Sequence, residues 1–517
     1  MKLTRRRFIH LAGAVCAVAC ADEEVLVPDG IEDAGPDPTF DATPIDPDAA
    51  LEDDATAHDD VPPDDVAFDA APDDARADVT LDARPDAARD AGVIANPDFR
   101  SLPERPAQFP LGVMAGDATD TSVMFWTRYE GSGTLTLRVL EMHGGRVAAV
   151  RFNGAVTSAS GGFVRAIVNG LRPNKEHLYA FLVGPSRSPN GRSLVGRVQT
   201  APALDALVPL TFAGTSCSNQ ANRPFPVLQH AGTRSDLDFF IHCGDHVYTD
   251  YGDNAVTLAE YRAKYAQNWT SAGLKALHRS TGMYLTWDDH EVLNNWDPET
   301  FSAPRLAAAR QAFFEHRATR RNSAAPTRIW RSFRWGRTAE VFILDCRSER
   351  RPSTRSTNPS NSSRYISRAQ MDWLKAGLRA SPCVFKFIVN SVPIVDRAGG
   401  DSDNWNGYAS QRREILNHIA NNSLRGVVWL SGDVHFGGVC KVEAAGPWGN
   451  IWEVIMGPAG ANRDGRPSVV ASQWPVLVHG VHNYTVLRAD PATRTLTVEF
   501  INAAGNRIAD SRWSRVV

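Results

Sequence analysis

Four short apolar runs each end in residues that bind metal ions. Leu210–Ala213 leads into Gly214-Thr215-Ser216-Cys217, and Asp238–Cys243 leads into Gly244-Asp245-His246-Val247-Tyr248. Gly282–Trp287 precedes Asp288-Asp289-His290-Glu291, and Gly426–Leu430 precedes Ser431-Gly432-Asp433-Val434-His435. One Gly-Asp after a strand is ordinarily a turn, but four such endings in series imply that their side chains meet. A dinuclear metal centre needs one carboxylate shared by both cations, hard oxygen ligands around each, and an open coordination position. Asp245, at a tight Gly-Asp turn, is placed to bridge, and Tyr248 three residues on can bring its phenolate to the same ion. Phenolate, thiolate and carboxylate together favour a trivalent or strongly Lewis-acidic ion such as Fe3+, whereas all-oxygen ligation suits Ca2+ or Mg2+.

Such ligands must be held by elements that end at one place. From Val208 onward apolar strands alternate with amphipathic helices, the pattern of an α/β domain, and in an open α/β sheet ligands gather at the carboxyl ends of strands. Upstream the period is two: Ser122–Thr127, Thr134–Leu140, Arg146–Phe152, Phe163–Val168 and Leu178–Val183 alternate apolar and polar residues between turn signals. That pattern predicts an all-β sandwich over residues 104–203. The stretch Gly170–Tyr179 resembles the tyrosine-corner entry to a late strand of a fibronectin-type domain. With no clustered ligands or nucleophile, this region reads as a scaffold.

The net charge of -4 over 517 residues hides a segregation. Residues 21–90 carry 24 acidic residues against three arginines, while residues 91–517 are basic by 13 charges. The acidic stretch, rich in Ala and Pro, cannot bury enough apolar surface to offset its ordering entropy, so residues 21–100 are expected to form a disordered linker. Ahead of it, Thr4-Arg5-Arg6-Arg7-Phe8-Ile9 and the short run Leu11–Ala19 read as a twin-arginine export signal over residues 1–20. Ala17-Val18-Ala19-Cys20 resembles a lipoprotein cleavage box. The expected partners are therefore the twin-arginine export machinery and a membrane reached through a lipid anchor at Cys20, with a periplasmic or cell-surface location. The cluster Arg317, Arg320 and Arg321 lacks interleaved aromatics, so no specific nucleic-acid binding is expected. Beyond Cys217 the body has Cys243, Cys346, Cys383 and Cys440, enough for two disulfides, with buried free thiols as the alternative.

Further matches make the chain recognisable over about residues 104–517. Gly112–Arg128, Thr215-Ser216-Cys217, Gly244-Asp245-x-x-Tyr248, Trp287-Asp-Asp-His-Glu291, Leu344-Asp-Cys-Arg347, Trp405-Asn-Gly-Tyr408 with Arg412, and Gly432-Asp-Val-His435 follow one another in a fixed order. In this the chain resembles the alkaline phosphatase D (PhoD-like) family of metallophosphoesterases, themselves similar to purple acid phosphatases. The resemblance implies an α/β metallophosphoesterase fold over residues 208–517, two mixed β-sheets flanked by helices, behind the fibronectin-like sandwich. By that similarity Cys217, Asp245, Tyr248 and Asp433 would hold Fe3+. Asp245 would bridge to a Ca2+ site completed by Asp289, Asn390 and His435. His290 would stand by the phosphate and protonate the leaving oxygen, and Arg347 and Arg412 would be candidates to bind substrate. His246 and Cys346 depart from the family pattern, standing where an aromatic residue and Thr are usual. The activity implied is phosphoester hydrolysis by a metal-activated hydroxide, on small phosphoesters, by a monomer. The competing readings are a phospholipase-D-like phosphodiesterase of lipid headgroups and a catalytically silent surface-binding protein.

Overall fold

The computed structural model describes residues 78–82, 97–396, 403–461 and 466–517, all within one compact unit, Asp69–Val517. The expected export signal with Cys20 and most of the expected acidic linker lie outside the described residues.

Two sheets face each other across the main core. One has ten strands in the spatial order Val79–Asp82, Phe163–Asn169, Ser122–Arg128, Val113–Gly116, Gly282–Leu285, Phe239–His242, Leu210–Thr215, Tyr484–Asp490, Thr495–Ile501 and Arg507–Val516. Its central strands are parallel, with Phe212 opposite Phe239 and Phe239 opposite Gly282. The other has seven strands, built around the parallel set Ala339–Ile343, Phe385–Val389, Val427–Ser431 and Trp452–Ile455. These strands are mostly apolar because both faces are covered, with Glu340, Lys386 and Glu453 as the charged exceptions. Between the sheets Phe212, Ile241, Val341, Phe387 and Leu430 are fully buried, and the Phe212 ring meets Phe239 at 4.7 Å and Phe387 at 4.9 Å. Helices Leu258–Trp269, Ala272–Ser280 and Ala303–Glu315 cover the outer face of the first sheet, and Arg368–Ala380 with Ala409–Asn421 cover that of the second. The mixed sheets flanked by helices match the expected fold.

The N-terminal β region is joined to this core more closely than its sequence suggested. Its second layer is the separate sheet of Arg146–Val156, Leu135–His143, Glu176–Val183 and Gly191–Arg192, with Gly196–Gln199 on Glu176–Val183. Its first layer, however, continues the ten-stranded sheet, because Val113–Gly116 pairs in parallel with Gly282–Leu285. A second difference concerns the acidic segment. Val79–Asp82 adds a parallel strand to the edge strand Phe163–Asn169, in register Val79 to Ala166 through Asp82 to Asn169. Asp78 anchors it: its carboxylate accepts from Arg165 Nε at 2.9 Å and from the Arg321 N–H at 2.9 Å. Low apolar content forbids a core of its own, but an unpaired strand edge supplies backbone partners that sequence hydropathy does not register.

The five described cysteines are buried thiols, none of them in a disulfide. The arginine cluster serves structure: Arg317 pairs with Glu291, the Arg320 N–H donates to Asp117, and Arg321 lies over the Phe314 ring. Among the described residues no helix is long and apolar enough to cross a membrane.

Candidate metal centre

The loops that follow the strands of both sheets meet at one end of the fold. Three of the residues at these loops, Cys217, Asp245 and Asp433, have left-handed backbones, with φ of 55°, 56° and 65°. Side-chain-bearing residues adopt this region at a cost, and such strain persists where surrounding structure enforces it. Here the enforcement is visible. The Cys217 N–H donates to the Gly244 carbonyl at 3.2 Å, and the Ser218 N–H donates to the Asp245 carbonyl at 2.8 Å. Gly244, with φ of 106°, has no room for a side chain, since a Cβ would lie 2.7 Å from Asp288 Cβ.

The result is two groups of ligand side chains that share Asp289. Ligand atoms of Asp245, Asp289 and His290 lie within 4.8 Å of one another, as do those of Asp288, Asp289 and Asp433. Cys217 Sγ lies 3.5 Å from Asp245 Oδ2, and the Tyr248 hydroxyl lies 3.3 Å from the same oxygen. His435 Nε2 is 3.4 Å from that hydroxyl. Thus Cys217, Asp245, Tyr248, Asp289, His290, Asp433 and His435 come together. Asn390 sits fully buried at the end of Phe385–Val389, where its Oδ1 accepts from Trp405 Nε1 at 3.0 Å.

Burial and crowding set the electrostatics. Burial, with the neighbouring Asp289, Asp288 and Glu291 charges, pushes the Asp245 carboxyl well above its ordinary range, and burial with Asp288 does the same to Asp433. Asp288 is pushed up to about 6 by burial and Asp289, against the pull of Arg347. Burial would raise Asp289 also, but Arg347 and His290 outweigh it and hold it low. The Cys217 thiol and Tyr248 phenol are raised by burial and then by Asp245. A buried set of acids that resist ionising together is what a cation would relieve, and the thiol, phenol and carboxylate donors suit one or two multivalent ions. The residues therefore fit a centre for multivalent metal ions.

His290 stands beside Tyr248 and Asp250 at this mouth. Its ring stacks on Tyr248 at 3.9 Å between centroids, and Nδ1 lies 2.9 and 2.8 Å from the two oxygens of Asp250. Burial would lower its pKa, but Asp245, Asp289 and Asp250 outweigh burial and raise it to about 10. Arg347 is fully buried among carboxylates. Its Nε lies 2.5 Å from Asp288 and Nη2 3.3 Å from Asp433, while Nη1 contacts Asp403. Arg412 donates Nε to the Ile394 carbonyl at 2.7 Å and lies over the Trp448 ring, lining a surface depression with Asp396 and Asn406.

From the sequence, four contributors were given no role. Asp288, Asp250, Asp403 and Glu291 are all at or behind the cluster. Asp250 stands two residues beyond Tyr248 in the same loop, which is a usable signal. Asp403 had none, because only the tertiary path returns it to Arg347 and Arg350. The unusual His246 is buried behind the Gly-Asp turn, stacked on His242 at 4.1 Å with Nε2 3.1 Å from His278 Nε2. Trp405 and Tyr408 are core residues packed on Tyr365.

Comparison with known proteins agrees with this geometry. Residues 212–477 match the PhoD-like phosphatase family, and residues 95–202 match the N-terminal domain of PhoD-like phosphatases. The chain belongs to the PhoD-like phosphatase family. It is 31% identical over 400 residues to alkaline phosphatase D of Bacillus subtilis (strain 168), an alignment covering 66% of each chain. It thus spans just under two thirds of that family member's length. A solved PhoD structure superposes with a TM-score of 0.68 at 24% identity, covering 81% of this chain and 91% of the other. A purple acid phosphatase from yellow lupin (Lupinus luteus) seeds shares the fold, with a TM-score of 0.56 at 11% identity over 78% of this chain and 73% of its own.

Proposed function

We propose that this chain is an exported, metal-dependent phosphoester hydrolase acting on small phosphoesters. One observation carries the reading: two acidic groups sharing Asp289 converge where strands of both sheets end, inside a family of phosphatases. Asp245, shared by the thiol and phenol side and by the Asp289–His290 side, is the candidate bridge. Cys217, Tyr248 and Asp433 would complete an Fe3+ side. Asp289, with His435 and Asn390, would complete a Ca2+ side, and Asp288 joins this group through its approach to Asp289. When bound, such cations supply Lewis acidity and a water of lowered pKa. The chain's own residues do the rest. The buried carboxylates hold the charge fixed, Arg347 balances Asp288, Asp289 and Asp433, and His290, held through Nδ1 by Asp250, offers Nε2 to the leaving oxygen.

The proposal includes export by the twin-arginine route, a lipid anchor at Cys20, and a monomeric body whose N-terminal two-layer region, fibronectin-like in its strand pattern, acts as scaffold. Arg412, beside its surface depression, is proposed to meet the distal part of the substrate. The direct experiment is metal analysis and turnover of the purified protein with paired mono- and diesters. We expect bound metal, chelator-sensitive hydrolysis restored by Ca2+, and joint loss of metal and activity in Asp245→Asn. A metal-free protein without hydrolytic activity would refute the reading in favour of a silent binding protein.

A further inference from the structure

One buried carboxylate touches both ligand loops. Glu291 Oε2 accepts from the Asp245 N–H at 3.0 Å and from the Asp288 N–H at 2.9 Å. Its Oε1 accepts from the His246 N–H at 2.8 Å and from Arg317 Nη2 at 2.8 Å. Both side chains of this ion pair are fully buried. Arg317 is fixed in turn by aromatic faces, with its guanidinium carbon 4.1 Å from the Phe313 ring centre and 5.2 Å from that of Tyr265. Four donors around one carboxylate satisfy its acceptor positions, and three of them are backbone groups of the loops that carry Asp245 and Asp288.

We propose that Glu291 is a positioning residue that clasps the Gly244–His246 and Asp288–Asp289 loops at the spacing the metal centre requires, with Arg317 balancing its buried charge. The proposal rests on the metal-centre reading above. It follows from the donor pattern and not from charge alone. An amide at this position keeps one acceptor oxygen and turns an NH2 group toward two donors. With Arg317 present, the oxygen faces Arg317 and the His246 N–H, so the NH2 confronts the Asp245 and Asp288 N–H groups and the loops part. Without Arg317, the oxygen is free to face Asp245 and Asp288, the NH2 opposes the His246 N–H alone, and the clasp closes again across the two ligand loops.

The test is titration of chelator-stripped protein with Mn2+ alone, followed by calorimetry and electron paramagnetic resonance, alongside thermal unfolding. Outer groups that orient metal ligands are typically worth about 10–100-fold in metal affinity. Glu291→Gln should lose about that much, the double variant Glu291→Gln/Arg317→Met should regain most of it, and Arg317→Met alone should stay near wild type in affinity while being destabilised. If Glu291→Gln does not fold, the double variant and Arg317→Met still give the required order. Wild-type affinity in Glu291→Gln, or affinity that simply tracks thermal stability across the variants, would overturn the clasp. A wild-type protein that binds no Mn2+ would instead overturn the metal-centre reading beneath it.

Discussion

Asp250 and His290 give the sharpest test of how the leaving group departs. The ring is pinned by Tyr248 on one face and by Asp250 at Nδ1, which leaves Nε2 as the nitrogen free to serve as a proton donor. Once cations take up the charge of Asp245 and Asp289, Asp250 is the carboxylate left to support the imidazolium. An opposite charge at hydrogen-bond distance is worth roughly 1–3 pKa units. His290 is raised by the carboxylates beside it, and its acidic form is lost as pH rises through its pKa, which falls once cations take up the charge of Asp245 and Asp289. Asp250→Asn should therefore move the alkaline limb of kcat down by about 1–3 pH units on an alkyl phosphoester. At lower pH, where the ring stays protonated, the loss should be small. His290→Ala should remove general-acid help altogether, a fall of roughly 10²–10⁴-fold, with metal content retained. On a nitrophenyl phosphoester, whose leaving group needs little protonation, both effects should shrink. The assay is kcat against pH for the three proteins on the two substrates. Equal losses on both esters, or an alkaline limb that Asp250→Asn leaves in place, would refute the role given to the pair.

Three further outcomes are expected. Tyr248→Phe should bleach any visible absorption of the iron-loaded protein, checked by its spectrum, because the proposed chromophore is a phenolate on iron; an unchanged band would remove Tyr248 from that ion. Deleting residues 21–77 should leave thermal stability unchanged, whereas Asp78→Ala should cost about 1–3 kcal/mol, less than a fully orphaned buried pair because Arg165 keeps the Arg317 and Thr319 carbonyls; hydrogen exchange across Phe163–Asn169 reports the edge directly. Fully buried His177 is lowered to about 4 by burial, so its neutral form supports the fold above pH 6.5 and that support is lost as pH falls toward 4. His177→Leu should shrink the stability difference between pH 7 and pH 5 by about 2 kcal/mol in denaturant titrations, and an unchanged difference would show the ring already charged in the fold.

The sequence by itself settled what local chemistry can settle. The strand–helix rhythm named the α/β part and alternation of period two the β strands ahead of it, because burial of one or both strand faces writes itself directly into hydropathy, but that one β layer joins the large sheet was not legible. The endings at Cys217, Asp245, Tyr248, Asp289, His290, Asp433 and His435 were legible because each ligand sits within a few residues of its strand, and strand ends of a sheet converge. What lay beyond local pattern was decided by the tertiary structure. Glu291 looked like one more acid in a run of ligands, yet its carboxylate points away from the cluster to gather backbone N–H groups from two loops. Arg347, a candidate for phosphate, is enclosed by carboxylates that arrive from residues 288, 403 and 433. Asp78–Asp82 has only two apolar residues, Val79 and Leu81, too few to signal a strand within an acidic stretch, and it is ordered by an open strand edge and by Arg165, partners that exist only after the sheet has formed. Hydropathy and spacing report what a residue can do; which charges and edges it meets depends on chain segments far away in sequence, and only folding brings those together.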